Sequence, residues 1–206
     1  MKLLVDTDAF CKLAVSGLLL DAVSLLGADL TECGRLPALP YMLRKGRLRR
    51  AFGPEACDAL IPIAGKSPVV VQPGDTWLNK LTPVQGIDPG EAQLFAAAAE
   101  TGLLVMSGDK RALRSLRNVA GFAHALAGRI VVLEAILLAL CDHLGPEDVR
   151  RRVQVLRVEA DLALLDDRSA VEEGTPVAAT GAAELHGIEF GVGQDVFRLL
   201  RADGHA

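Results

Sequence analysis

Aromatic side chains are scarce in this chain of 206 residues, which has one Trp, one Tyr and six Phe. Trp77 and Tyr41 stand too isolated to form a ladder of rings on which nucleic-acid bases would stack. Cysteine is sparse as well. Cys11, Cys33, Cys57 and Cys141 are scattered, with no C-x-x-C pair and no histidine cluster, which argues against zinc. Cys11 and Cys141 lie in apolar stretches and are expected as buried thiols in a reducing compartment. A positive excess is also missing, since the formal net charge is -4 and the pI is near 5.6. That balance argues against a tight, passive DNA binder, whose affinity would come from phosphate contacts. It leaves room for a nuclease, whose acidic site needs only a local basic rim. No apolar run has the length of a membrane span, and the longest, Ile130 to Cys141, is interrupted by Glu134. The opening Met1-Lys2-Leu3-Leu4-Val5-Asp6 puts an acid where a signal peptide needs its apolar core. A cytoplasmic protein without a membrane partner is expected.

What is present is an apolar half rich in Ala, Leu and Val, suited to helices packed over a short parallel sheet. Leu3-Leu4-Val5 reads as a buried first strand that ends at Asp6. Cys11 to Leu26 reads as a helix, or a pair broken around Gly17. Gly34 to Pro40 is a candidate second strand, and Val69-Val70-Val71 a further short one closed by Pro73-Gly74. The clearest helix runs from Ala92 to Thr101, opened by Asp88-Pro89-Gly90-Glu91 and stopped by Gly102. Leu103 to Met106 is the next strand, with a helix from about Lys110 to Asn118 behind it. Ile130 to Leu133 is another strand, leading into a helix that ends near Gly145. Strands alternating with helices imply β-α units and a parallel sheet. Past Gly145 the character shifts: Pro146 to Arg168 is a charged helical pattern, Glu173 to Gly181 a loop, and Glu184 to Leu200 a strand-like piece before a short helix. The expected domains are 1–144 and a C-terminal extension, 145–206.

Ligands of parallel sheets bind outside the carboxyl ends of the strands. Asp6 and Asp109 fall at that address. Each acid also has a structural explanation. Asp8 or Thr7 can cap the first helix; Asp88, Pro89 and Glu91 form a good capping box; Asp109 can cap the helix starting at Lys110. Their arrangement carries the functional reading, because three carboxylates at one sheet mouth repel unless cations sit between them. Hard oxygen donors suit Mg²⁺ or Mn²⁺, which promote phosphodiester cleavage. The basic run Arg44, Lys45, Arg47, Arg49 and Arg50 is either a solvated helix face or a rim that holds phosphates.

Three segments together resemble the PIN domain family. Leu3-Leu4-Val5-Asp6-Thr7-Asp8-Ala9-Phe10 looks like its opening strand and first acid. Ile87 to Ala97, with Asp88-Pro89-Gly90-Glu91, looks like the helix carrying a later acid. Thr101 to Lys110, with Ser107-Gly108-Asp109, is similar to the strand and turn that present the last. The resemblance covers about residues 1–140. It implies a three-layer α/β/α fold with a central parallel sheet, to which the C-terminal segment adds a helical extension. It also implies a Mg²⁺- or Mn²⁺-dependent endoribonuclease with Asp6, Glu91 and Asp109 as catalytic metal ligands, Thr7 and Ser107 beside them, and RNA as the partner. A homodimer, or a protein partner or inhibitor, is a further expectation.

The chain departs from the family where another acid is usual, on the helix after the second strand. Tyr41 to Arg50 holds no carboxylate, and Glu55, Asp58 and Asp88 are the alternatives. The rival reading is a catalytically inactive PIN-like module that binds RNA or protein. Asp6-Thr7-Asp8 also superficially resembles the nucleophile motif of haloacid-dehalogenase-like phosphatases. That motif needs Thr or Val where Phe10 stands, and a later acid where Ala112 and Leu113 stand.

Overall fold

The computed structural model describes residues 1–154 and 156. The loop expected at Glu173 to Gly181 and the elements expected from Glu184 to Leu200 lie outside these residues, as does most of the charged helical pattern ending at Arg168. Along the chain run β1 (Leu3–Val5), α1 (Thr7–Val15), α2 (Leu19–Leu25), β2 (Cys33–Gly34), α3 (Leu39–Arg44), α4 (Arg47–Phe52) and α5 (Pro54–Lys66). They are followed by α6 (Asp75–Leu81), α7 (Pro89–Thr101), β3 (Leu104–Ser107), α8 (Lys110–Ser115), a 3-10 turn (Leu116–Asn118), α9 (Phe122–Ala125), β4 (Ile130–Val132) and α10 (Leu133–Leu144).

The four strands form one parallel sheet in the order β2-β1-β3-β4. Successive strand residues point to opposite faces, and the sheet uses both. Leu3, Val5, Met106 and Val131 join a first core with α1 to α5 and α10, while Leu4, Val105 and Ile130 join a second core with α6 to α9. Burial on both faces explains why these strands read as continuous apolar runs rather than alternating ones. The chain passes close at Gly34, where a β-carbon would meet Met1 Sδ at 2.6 Å and Leu4 Cδ2 at 2.7 Å, so those side chains would have to shift to admit one.

Several local expectations meet a sharper outcome. The helix pair does break around Gly17, whose φ is 67°. The helix expected from Ala92 begins earlier, at Pro89, and Gly102 stops it in the left-handed conformation at φ 72°. The helix expected to Asn118 tightens into the 3-10 turn after Ser115. Gly34 to Pro40 is not one strand, because β2 ends at Gly34 and Pro40 lies in the first turn of α3, where its missing N–H costs nothing. Val69-Val70-Val71 is not a strand either. Arg35 and Val69 form an isolated bridge, with Arg35 N–H donating to Pro68 O and Val70 N–H to Arg35 O, both at 2.9 Å. The bridge partner Arg35 directly follows β2, which is only two residues long, and Pro73-Gly74 turns the chain into α6 before a ladder can extend. Cys11, Cys33 and Cys57 are buried, and Cys141 only partly so.

Beyond Gly145 the helical segment 146–154 packs back on the domain. Val149 is buried in the first core, Val153 and Leu156 lie against it, and Arg152 reaches Asp21 at 3.3 Å. Among the described residues no helix is long and apolar enough to cross a membrane.

Candidate functional site

The strand order reverses beside β1, because β2 lies on one side of it and β3 on the other. The crevice at such a switch point is where open parallel sheets accept ligands. Asp6 leaves β1 and Asp109 follows β3 at this point, with Asp6 N–H donating to Met106 O at 2.9 Å. Glu91 comes from the first turn of α7. All three line one cleft of about 1160 Å³, together with Asp8, Asp88 and Glu134.

Each acid is held differently. Asp6 occupies the N-cap position of α1 but makes no side-chain capping hydrogen bond. Glu91 completes the capping box: its N–H donates to Asp88 Oδ1 at 2.8 Å, and Asp88 N–H donates to Glu91 Oε2 at 2.7 Å. Asp109 Oδ1 accepts from Arg111 N–H at 2.8 Å and Ala112 N–H at 3.0 Å. Capping therefore describes Glu91 and Asp109 correctly, and it fixes their carboxylates at the cleft instead of removing them from it.

Burial is the largest influence on all three acids, and neighbouring carboxylates add to it at Asp6 and Glu91. Burial, then the charge of Asp8, pushes Asp6 up to about 6; the Thr7 amide opposes, and Asp88 and Asp109 add to the rise. Burial likewise pushes Glu91 up to about 7, against the Asp88 amide and reinforced by Asp88, Asp109 and Asp6. For Asp109 burial also acts upward, but the Ala112 and Arg111 amides, a hydrogen bond from the Glu91 carboxyl and the Arg111 charge outweigh it, leaving it below the ordinary carboxylate value. Asp6 and Glu91 are only 7% and 5% exposed, and neither has an ion pair among the described residues. Thr7 Oγ1 is buried beside Asp6 without a hydrogen-bond partner. The donors are hard oxygens, and among the described residues only Asp109 of the three has a cationic partner, Arg111 at 3.4 Å; such oxygen chemistry fits Mg²⁺ or Mn²⁺. As the side chains stand, no group of three or more His, Cys, Asp or Glu among the described residues is arranged to hold a metal ion.

The basic run divides. Arg47 lines the cleft. Arg49 is taken by Asp58 in a bidentate pair, Nη1 to Oδ1 at 2.6 Å and Nη2 to Oδ2 at 3.0 Å. Arg44, Lys45 and Arg50 are exposed and do not line the cleft. Of the alternatives for the missing acid, Asp88 lines the cleft, whereas Asp58 is paired with Arg49 and Glu55 lies outside the lining. Trp77 packs edge-on against Phe122 with Lys80 over its ring.

Glu134 and Arg114 were missed by the sequence reading. Glu134 stands two residues beyond β4, at the same strand-end address as Asp6 and Asp109, and that signal was legible. Arg114 had none, since only the packing of α8 turns it toward the cleft. Comparisons of the chain with models of known families, with curated proteins and with solved structures found no match.

Proposed function

We propose that this chain is a PIN-type, metal-dependent endoribonuclease whose site is built on Asp6, Glu91 and Asp109. The observation that carries the reading is the convergence of these acids, distant in sequence, on one cleft at the switch point of the sheet. Repulsion makes such a cluster costly unless something cationic uses it.

In this reading Asp6 presents its carboxylate from the end of a buried strand, free of capping duty. The Asp88 amide holds Glu91 through Oε2, and the Glu91 carboxyl also lies beside Asp109. The Arg111 and Ala112 amides hold Asp109 through Oδ1. Asp88 is the acid best situated to compensate for the carboxylate lacking between Tyr41 and Arg50. When bound by these residues, Mg²⁺ or Mn²⁺ supplies the Lewis acidity that phosphodiester hydrolysis requires. Such an enzyme would work in the cytoplasm, where its thiols remain reduced.

Purified protein should cleave single-stranded RNA in Mn²⁺, show a Mn²⁺-dependent thermal shift, and lose both with Asp6→Asn. Equal inertness of wild type and variant, with no thermal shift, would end the nuclease reading. The second reading is an inactive RNA-binding or protein-interaction module. It is favoured by the lack of a ready-arranged group of three ligands among the described residues. RNA binding without cleavage in any divalent ion would select it.

A further inference from the structure

Among the described residues, five cationic side chains line the acidic cleft: Lys12, Arg47, Lys110, Arg111 and Arg114. Three already have carboxylate partners. Lys12 pairs with Asp8 at 2.7 Å, Lys110 with Glu134 at 2.7 Å and Arg111 with Asp109 at 3.4 Å. Arg47 and Arg114 are exposed and have no ion pair among the described residues. They can therefore take an external anion without first breaking an ion pair among the described residues.

The two come from opposite layers of the fold. Arg47 opens α4, which buries Leu48 and Phe52 in the first core; Arg114 lies in the last turn of α8, which buries Ala112 and Leu113 in the second. The carboxyl end of the sheet, with its acids, lies between those layers. A planar guanidinium offers two parallel N–H donors to a phosphate, the geometry that makes arginine suited to this contact.

The geometry points to Arg47 and Arg114 as a pair of phosphate clamps, holding a single polynucleotide strand on either side of the phosphodiester that faces the acids. This rests on the ribonuclease reading and adds to it the path of the strand. It also selects the substrate: a chain with phosphates on both sides engages both clamps, whereas a mononucleotide engages one at most. Arg49 is excluded by its bidentate pair with Asp58, and Arg44 and Lys45 by their place outside the cleft.

The test measures binding of a mixed-sequence single-stranded RNA about a dozen nucleotides long, by fluorescence anisotropy across a range of KCl concentration. The parent is the full chain carrying Asp6→Asn. Adding Arg47→Gln or Arg114→Gln should each weaken binding roughly tenfold at low salt. Each should also flatten the dependence of log K on log salt by about 0.7. Arg47→Lys and Arg114→Lys should retain the salt slope, while Arg44→Gln and Lys45→Gln should change affinity less than about twofold. Both arginines are exposed, and a thermal melt of each variant verifies folding. The clamps are overturned if both Gln variants bind like the parent, or if Arg44→Gln and Lys45→Gln weaken binding as much. A wild-type chain that cleaves RNA in Mn²⁺ beside variants that bind normally removes the clamps and leaves the nuclease reading standing. A chain that neither binds nor cleaves RNA removes both.

Discussion

Asp6 and Glu91 couple the chemistry of the cleft to the stability of the fold. Their pKa values rise from 3.8 to about 6 and from 4.5 to about 7 on folding. A carboxyl shifted upward favours the folded state while it is protonated in both states, and that contribution is lost as pH climbs through the folded value. Metal-free protein should therefore lose stability as pH rises from about 4 to 7, by about 3 kcal/mol from Asp6 alone. Asp109, shifted downward, acts in the opposite sense and loses its contribution as pH falls. Thermal melts of wild type against Asp6→Asn and Glu91→Gln isolate the effect: the difference between wild type and each variant should shift with pH in that window, and a constant difference would contradict it. Thr7 offers a second check. Its hydroxyl is buried without a partner, so Thr7→Val should stabilise the metal-free protein by about 1 kcal/mol in urea unfolding.

The helix α7 shows one element serving two purposes. Its capping box satisfies orphan N–H groups, and the same hydrogen bonds aim Glu91 at the cleft. Asp88→Ala should cost about 1 kcal/mol, whereas Asp88→Asn keeps the acceptor, removes a charge that repels Glu91 and Asp6, and should cost less. Chemical denaturation of the two variants distinguishes capping from charge; an equal loss would mean that the acceptor contributes nothing. The Val69–Val71 segment teaches the reverse lesson. Three β-branched residues are not sufficient for a strand when the neighbouring edge, Cys33–Gly34, offers so few backbone partners.

For the whole molecule, the helical segment 146–154 forms part of the packing of the first core, because Val149 is buried there and Arg152 ties it to α2 through Asp21. Val149→Ala should lower stability by about 2 kcal/mol, from lost apolar burial plus the cavity left behind. A denaturation midpoint unchanged from wild type would show that the segment does not contribute to the fold. The acids from β1, α7 and β3 depend on the same packing, since two helical layers must close over a sheet in the order β2-β1-β3-β4 before they meet.

Much of this architecture could be read one segment at a time. The apolar run ending at Asp6, the box opened by Asp88 and closed by Gly102, and the strand before Ser107-Gly108-Asp109 are governed by interactions among near neighbours, which sequence displays directly. Asp6 and Asp109 could also be assigned to strand ends. Other features followed from tertiary structure alone: Arg49 spent on Asp58, Arg114 turned into the cleft and Val69–Val71 denied a ladder. Each depends on which elements become neighbours, and that is decided by strand order and by the burial of two opposed faces, a cooperative outcome that no local stretch of chain contains.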